Sequence, residues 1–135
     1  MQKQFRRAKN ELNARNYLAE KTYIAENLVP AYLSGDKELL RKIAEIHLPA
    51  LKEKTVSVHM SHKNAWFRNN KIIGWQNLDI RYEGVVARCD TAIMLIEQYL
   101  NGDLDTLEEL DEKRLHKGLG GFITYSAVAT VNKKI

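Results

Sequence analysis

From Asn77 to Asn101 the chain runs without proline, and its apolar residues fall at three- and four-residue steps: Tyr82, Val85, Val86, Cys89, Ile93, Ile96 and Leu100. That spacing matches the 3.6-residue helical turn, so these positions form one stripe on one helix. Opposite them Ile80, Gly84, Ala87, Thr91, Ala92 and Leu95 make a second face of mostly small residues. Asp79, Glu83, Asp90 and Glu97 form an acidic edge between the faces, and Arg81 and Arg88, seven residues apart, a basic one. A helix apolar on two sides is expected to have neighbours on both. Gly84 costs about 1 kcal/mol relative to Ala in a helix interior, which predicts another backbone close against it. Asn101-Gly102 ends the helix, because glycine readily takes the left-handed conformation found after a last turn.

The rest of the chain supplies partners of the same kind. Between Phe5 and Val29 there is no Gly or Pro, and Phe5, Ala8, Leu12, Leu18, Ala25 and Leu28 recur at helical spacing. Pro30 is expected to break or kink this first helix, or to open one further short turn. Ser34-Gly35-Asp36 reads as a loop, with Asp36 capping a short second helix through Leu39, Leu40, Ile43, Ala44 and Ile46. Pro49 suits the first turn of a third helix running through Leu51, Val58 and Met60 to Trp66 and Phe67, and Asn69-Asn70-Lys71 and Gly74 end it. Thr106-x-x-Glu109 has the form of a capping box and predicts a last short helix through Leu107, Leu110 and Leu115. Beyond it, Gly118 to Gly121 reads as a linker, and Phe122 to Val131 as an extended segment or lone strand. The expected fold is all-α: an antiparallel helical bundle of three long helices plus short ones over residues 1–117, with an extended C-terminal tail over 118–135.

Size and composition bound the function. A chain of 135 residues holds one domain, which excludes a complete α/β barrel of roughly 250 residues. Hydrophobic residues at 44% and charged residues at 28% suit a soluble globular protein and disfavour disorder. No apolar run approaches the roughly 20 residues that span a bilayer, so no membrane partner is expected. A net charge of +4, spread over many positions, is too weak to indicate nucleic acid. The single cysteine, Cys89, cannot form an intramolecular disulfide and fits a reducing compartment, so a cytoplasmic location is expected.

Individual chemical signals are weak. His59 and His62 have the spacing of adjacent metal ligands, but no third ligand accompanies them, and they read as structural or surface residues; no metal and no cofactor are expected. His116 suits a helix C-terminus. Cys89 sits on an apolar stripe, as a small buried thiol would. Gly118-Leu119-Gly120-Gly121 lacks the strand, helix and lysine of a phosphate loop. Lys3, Arg6, Arg7, Lys9 and Arg15 form a basic cluster without interleaved aromatics, so a solvated face is favoured over a phosphate-binding one. Glu108-Glu109 and Asp111-Glu112 lack the burial that tunes an acid/base pair. The densest region is residues 62–91, which composition reads first as a packed corner between two helices, with Trp66 and Trp75 as anchors and Asp79 placed to pair with Arg81 or Arg88.

In that region His62-x-x-x-Trp66-x-x-x-Asn70-Lys71-x-x-Gly74-Trp75-x-x-x-Asp79-Ile80-Arg81-Tyr82-x-Gly84-x-x-x-Arg88 resembles the C-terminal helical domain of bacterial β-N-acetylhexosaminidases of glycoside hydrolase family 20. Tyr32-Leu33-Ser34-Gly35-Asp36, Tyr99-Leu100-Asn101-Gly102-x-Leu104 and Glu108-Glu109-Leu110 extend the likeness over residues 20–115, and Glu83 departs from it where a second glycine is expected. The resemblance implies a parent enzyme that removes terminal N-acetylglucosamine or N-acetylgalactosamine with an Asp-Glu pair on a separate α/β barrel, the substrate's acetamido oxygen acting as nucleophile. It implies that this chain alone is inactive, that no catalytic residue lies in it, and that its partner is the parent's catalytic barrel domain, with homodimerisation as a second role. Trp66, Trp75, Asp79, Arg81, Tyr82 and Arg88 are the candidates for a junction near the sugar site. The rival reading is a free-standing helical interaction or nucleic-acid-binding module that uses the basic first helix.

Overall fold

The computed structural model describes residues 1–112. The expected tail over 118–135, the linker, Leu115 and His116 lie outside them. Among the described residues every regular element is helical, and no helix is long and apolar enough to cross a membrane.

Helix α1 runs from Gln2 to Ser34 and passes through Pro30 without ending. Proline removes one amide donor, but its fixed φ is helical, and this one stands on an exposed side of the helix one turn from its end. Gly35, at φ 70°, closes the helix. Its amide donates to the Tyr32 carbonyl (3.1 Å) and that of Asp36 to Ala31 (2.9 Å), the paired bonds of a glycine-terminated helix. Asp36 then begins α2 (Lys37–Lys42) as expected, its Oδ1 accepting from the Leu39 amide at 2.9 Å.

The second and third helices, expected as separate elements, are continuous. A π-helical turn, Ile43–His47, joins α2 directly to α3, Leu48–Asn69. The Leu48 amide reaches back five residues to Ile43. A proline ring crowds the carbonyl four residues earlier, and the wider turn takes up Pro49 without ending the helix. Helix α4, Trp75–Asn101, starts two or three residues before the expected Asn77 or Leu78 because Gly74, at φ 92°, turns the chain straight into it; Gly102, at φ 83°, ends it. The capping box at Thr106 does not form. Helix α5 (Glu108–Asp111) is preceded by Leu107 with no side-chain cap, and the Leu107 amide donates to the Tyr32 hydroxyl at 3.1 Å, fastening the segment to α1.

α3 lies at the centre. α1 runs antiparallel to it, tied by Asn13 to Ser61 (2.7 Å) and by Lys54 to Glu20. α4 runs antiparallel along another side, tied by Lys52 to Asp90 and by His59 to Asp79 (2.7 Å). The core gathers Ile24 and Ala31 of α1, Leu40, Ile43, Ala44, Leu48 and Leu51 of the joined α2–α3, and Cys89 and Ile96 of α4. Each large aliphatic there contributes about 1.5–3 kcal/mol by leaving water. Thr55, fully buried, satisfies its hydroxyl on the Leu51 carbonyl at 2.6 Å.

Two sequence expectations are corrected. The helical period of α1 is right, but Phe5, Ala8, Leu12, Leu18 and Ala25 are exposed. The inward face carries Tyr17, Ile24, Leu28 and Ala31. The second face of α4 is covered only in its later half: Ala92 and Leu95 pack against the core, whereas Ile80, Gly84 and Ala87 are exposed, and a Cβ at Gly84 would meet nothing within 4 Å. Among the described residues, then, no other element's backbone closes on the Cβ position of Gly84.

Candidate functional site

The corner between α3 and α4 is built on Trp75, which is only 2% exposed. Its ring lies 5.7 Å from those of Trp66 and Phe67, 5.2 Å from His62 and 5.9 Å from His59. The spacing His59, His62, Trp66 on α3 puts all three on the side facing α4, so the hairpin closes on aromatic rings. Trp75 Nε1 donates to Asp79 Oδ1 at 2.6 Å, and His59 Nε2 to the same oxygen at 2.7 Å. Lys63 Nζ stands 3.9 Å away. The His59 hydrogen bond holds the Asp79 carboxyl below its ordinary pKa; burial opposes that shift, and Trp75 and Lys63 reinforce it. His59 also stacks on Tyr82 at 4.7 Å, and His62 Nδ1 shares a 2.9 Å hydrogen bond with the Tyr82 hydroxyl. Burial, with Tyr17 nearby, raises the Tyr82 pKa. Trp66 Nε1 donates to the Lys71 carbonyl at 2.9 Å and so fixes the first residues of the connecting loop.

Of the six candidates, Trp66, Trp75, Asp79 and Tyr82 therefore meet in one cluster. Asp79 pairs with His59 and Lys63 there. Arg81 and Arg88 lie on another flank of α4, both exposed, beside a groove lined by Leu48, Leu51, Ile80, Gly84 and Val85. Arg88 Nη2 donates to Glu109 Oε2 at 2.5 Å and ties α4 to α5. The histidines His59 and His62, absent from the six, complete the cluster; their step of three and that from His62 to Trp66 of four place them with the tryptophans. Among the described residues no group of three or more His, Cys, Asp or Glu is placed to hold a metal ion.

A second polar cluster escaped sequence reading. Glu20 of α1, with a side chain 11% exposed, accepts from His47 Nδ1 at 2.6 Å and from Lys54. His47 in turn stacks on Tyr23 at 4.1 Å. Burial pushes the Glu20 pKa up, but the hydrogen bonds and charges of Lys54 and His47 outweigh it, and the carboxyl titrates below its ordinary value. The available signal was that Glu20 lies four residues before Ile24, on the same helix face. In both clusters the carboxylate is held ionised by its donors, the reverse of the raised pKa that a general acid requires.

No curated protein matches the chain. The family model of the glycoside hydrolase 20C C-terminal domain matches residues 8–118, most of its length and nearly all of the described helices. On that match the chain belongs to the glycoside hydrolase 20C C-terminal domain family.

Proposed function

We propose that this chain is the non-catalytic helical module of an exo-acting, cytoplasmic β-N-acetylhexosaminidase, and that it docks on the catalytic barrel domain through the α3–α4 corner. The observation that carries the reading is the loop at that corner. Ile72 and Ile73 are 69% and 79% exposed and Phe67 is 43% exposed, although the base beneath them is tied down by Trp66 and Trp75. A pair of adjacent isoleucines facing water gains nothing within the domain, and apolar side chains exposed together in this way fit an interaction surface. Trp66, Trp75, Asp79 and Tyr82 are positioning residues for that surface, while Arg81 and Arg88 lie on another flank of α4. Residues 1–117 form the module. Hydrolysis of a terminal N-acetylhexosamine belongs to the barrel, where the sugar's acetamido group attacks with a carboxylic acid as proton donor. Homodimerisation through the same patch is the module's second role.

Two measurements test this. The purified chain is expected to give no turnover of a chromogenic N-acetylglucosaminide. It is expected to bind the barrel of a family 20 enzyme expressed without its own C-terminal domain, and Ile72→Asp with Ile73→Asp is expected to weaken that association about 100-fold, from roughly 1.5 kcal/mol lost per isoleucine. Turnover by the pure chain, or unchanged binding of the double variant, overturns the proposal. A salt-dependent affinity for DNA or RNA would replace it with a nucleic-acid-binding role.

A further inference from the structure

The α3–α4 corner shares its end of the bundle with the first turns of α1. Asn13 meets Ser61 and Glu20 meets Lys54, so the antiparallel register brings Phe5, as far before Asn13 as Asn69 is after Ser61, level with the end of α3. Phe5 and Leu12 are 75% and 56% exposed on these turns, as Ile72 and Ile73 are on the loop. We propose that the docking surface takes in this whole end, α1 as well as the loop, and that it fits a protein surface on the barrel that is acidic around an apolar centre. The inference rests on the reading of the chain as a docked module and names the chemistry of its partner.

Three observations point to that partner. The first is charge. Six cations gather at this end, Arg6, Arg7 and Lys9 on α1 and Lys63, Arg68 and Lys71 on α3 and the loop. Two carboxylates answer them: Glu11 holds Arg7 at 3.1 Å, and Asp79 lies 3.9 Å from Lys63. Arg6, Lys9, Arg68 and Lys71 are exposed, and no carboxylate among the described residues pairs with them. Like charges gathered on one face attract and steer an oppositely charged surface. The second is apolarity. A nucleic acid would use the cations, yet it would leave Phe5, Leu12, Ile72 and Ile73 in water. The flat rings on which its bases would stack are turned into the corner, Trp75 at 2% exposure and Trp66 tied through Nε1 to the Lys71 carbonyl. A protein surface uses both the charge and the aliphatic side chains. The third is position. The matched family is a C-terminal domain, and such a domain is entered from the rest of its enzyme at its first helix, whose opening turns stand at this end.

Binding of the full chain to the barrel of a family 20 enzyme expressed without its own C-terminal domain, followed by surface plasmon resonance at two salt concentrations, tests the proposal. Two charge-reversed variants are compared with the wild type, Arg6→Glu with Lys9→Glu and Arg68→Glu with Lys71→Glu. All four side chains are exposed, and the α1 pair stands near the positive end of its helix, where glutamate is favoured, so that variant keeps its fold. At about 0.05 M salt each variant is expected to bind about tenfold more weakly, mostly through slower association, and the difference is expected to shrink to about twofold at about 0.5 M, where charges are screened within a few ångströms. If the chain binds the barrel but either variant matches the wild type at both salt concentrations, the proposal is overturned and docking through the isoleucines stands. Absence of any binding overturns both. A wild-type affinity for phosphatidylserine vesicles or for a DNA duplex as high as that for the barrel also overturns it, the charge then serving a lipid surface or a phosphate backbone.

Discussion

Replacing Trp75 measures how firmly the corner is built. The side chain is almost wholly buried against four other rings and donates to Asp79. Truncating a buried tryptophan to alanine costs about 3–5 kcal/mol in lost transfer and cavity terms. Ring pairs add about 0.5–1.5 kcal/mol beyond area, which places the site in the upper part of that range. The hydrogen bond adds at the low end of the usual 0.5–1.5 kcal/mol, because Asp79 keeps His59 and has solvent at hand. Trp75→Ala is therefore expected to destabilise by about 4–5 kcal/mol, a large share of the 5–15 kcal/mol available to a domain. Trp75→Phe, which retains most of the ring and loses the donor, is expected to cost about 2 kcal/mol. Urea unfolding followed by circular dichroism at 222 nm gives both values without relying on the fluorescence being removed. A loss below about 1 kcal/mol for Trp75→Ala would refute the reasoning, since it would mean that the ring is not a structural anchor.

Glu20 makes stability depend on acid. Its folded carboxyl titrates below the ordinary value of 4.5, so the ionised form stabilises the fold above that pH, and the contribution disappears as the pH falls through the lower folded value. Unfolding free energy measured from pH 7 to pH 3 is expected to fall below pH 5, and Glu20→Gln to flatten that slope; an identical slope in the variant sinks the assignment. Gly84→Ala is expected to stabilise the isolated chain by about 0.5–1 kcal/mol, since the added methyl meets nothing and the helix gains propensity. A lower urea midpoint for that variant would show that a neighbour packs there after all.

The hairpin of α3 and α4 was legible because its signals are local. Gly74 and Gly102 bound α4, and one stripe from Tyr82 to Leu100 repeats at a single period, so helix and buried face come together. Asp36 was legible for the same reason, since its cap reaches only three residues. The failures come from longer range. In α1, Phe5, Leu12 and Leu18 fit a helical period as well as Tyr17, Ile24 and Leu28 do, and only the position of α3 decides which set turns inward. Thr106 had the residue types of a cap, but α5 begins one residue later, after Leu107, whose amide is held by the distant Tyr32 hydroxyl. At the corner the tryptophans were visible as anchors. The use of His59 and His62 as partners for Asp79 and Tyr82 depends on how α4 is rotated against α3, which no local spacing records.

The wide turn at Ile43–His47 holds one residue more than an ordinary helical turn would need to link α2 to α3. Removing one residue there would return the turn to the ordinary α-helical count and leave α2 in phase with α3, with Leu40 still turned to the core. A deletion within α2 or within α3 has no such reserve and would rotate the residues upstream of it by about 100° about the common axis. The wide turn is thus a place at which the joined helices can lose a residue without a change of phase.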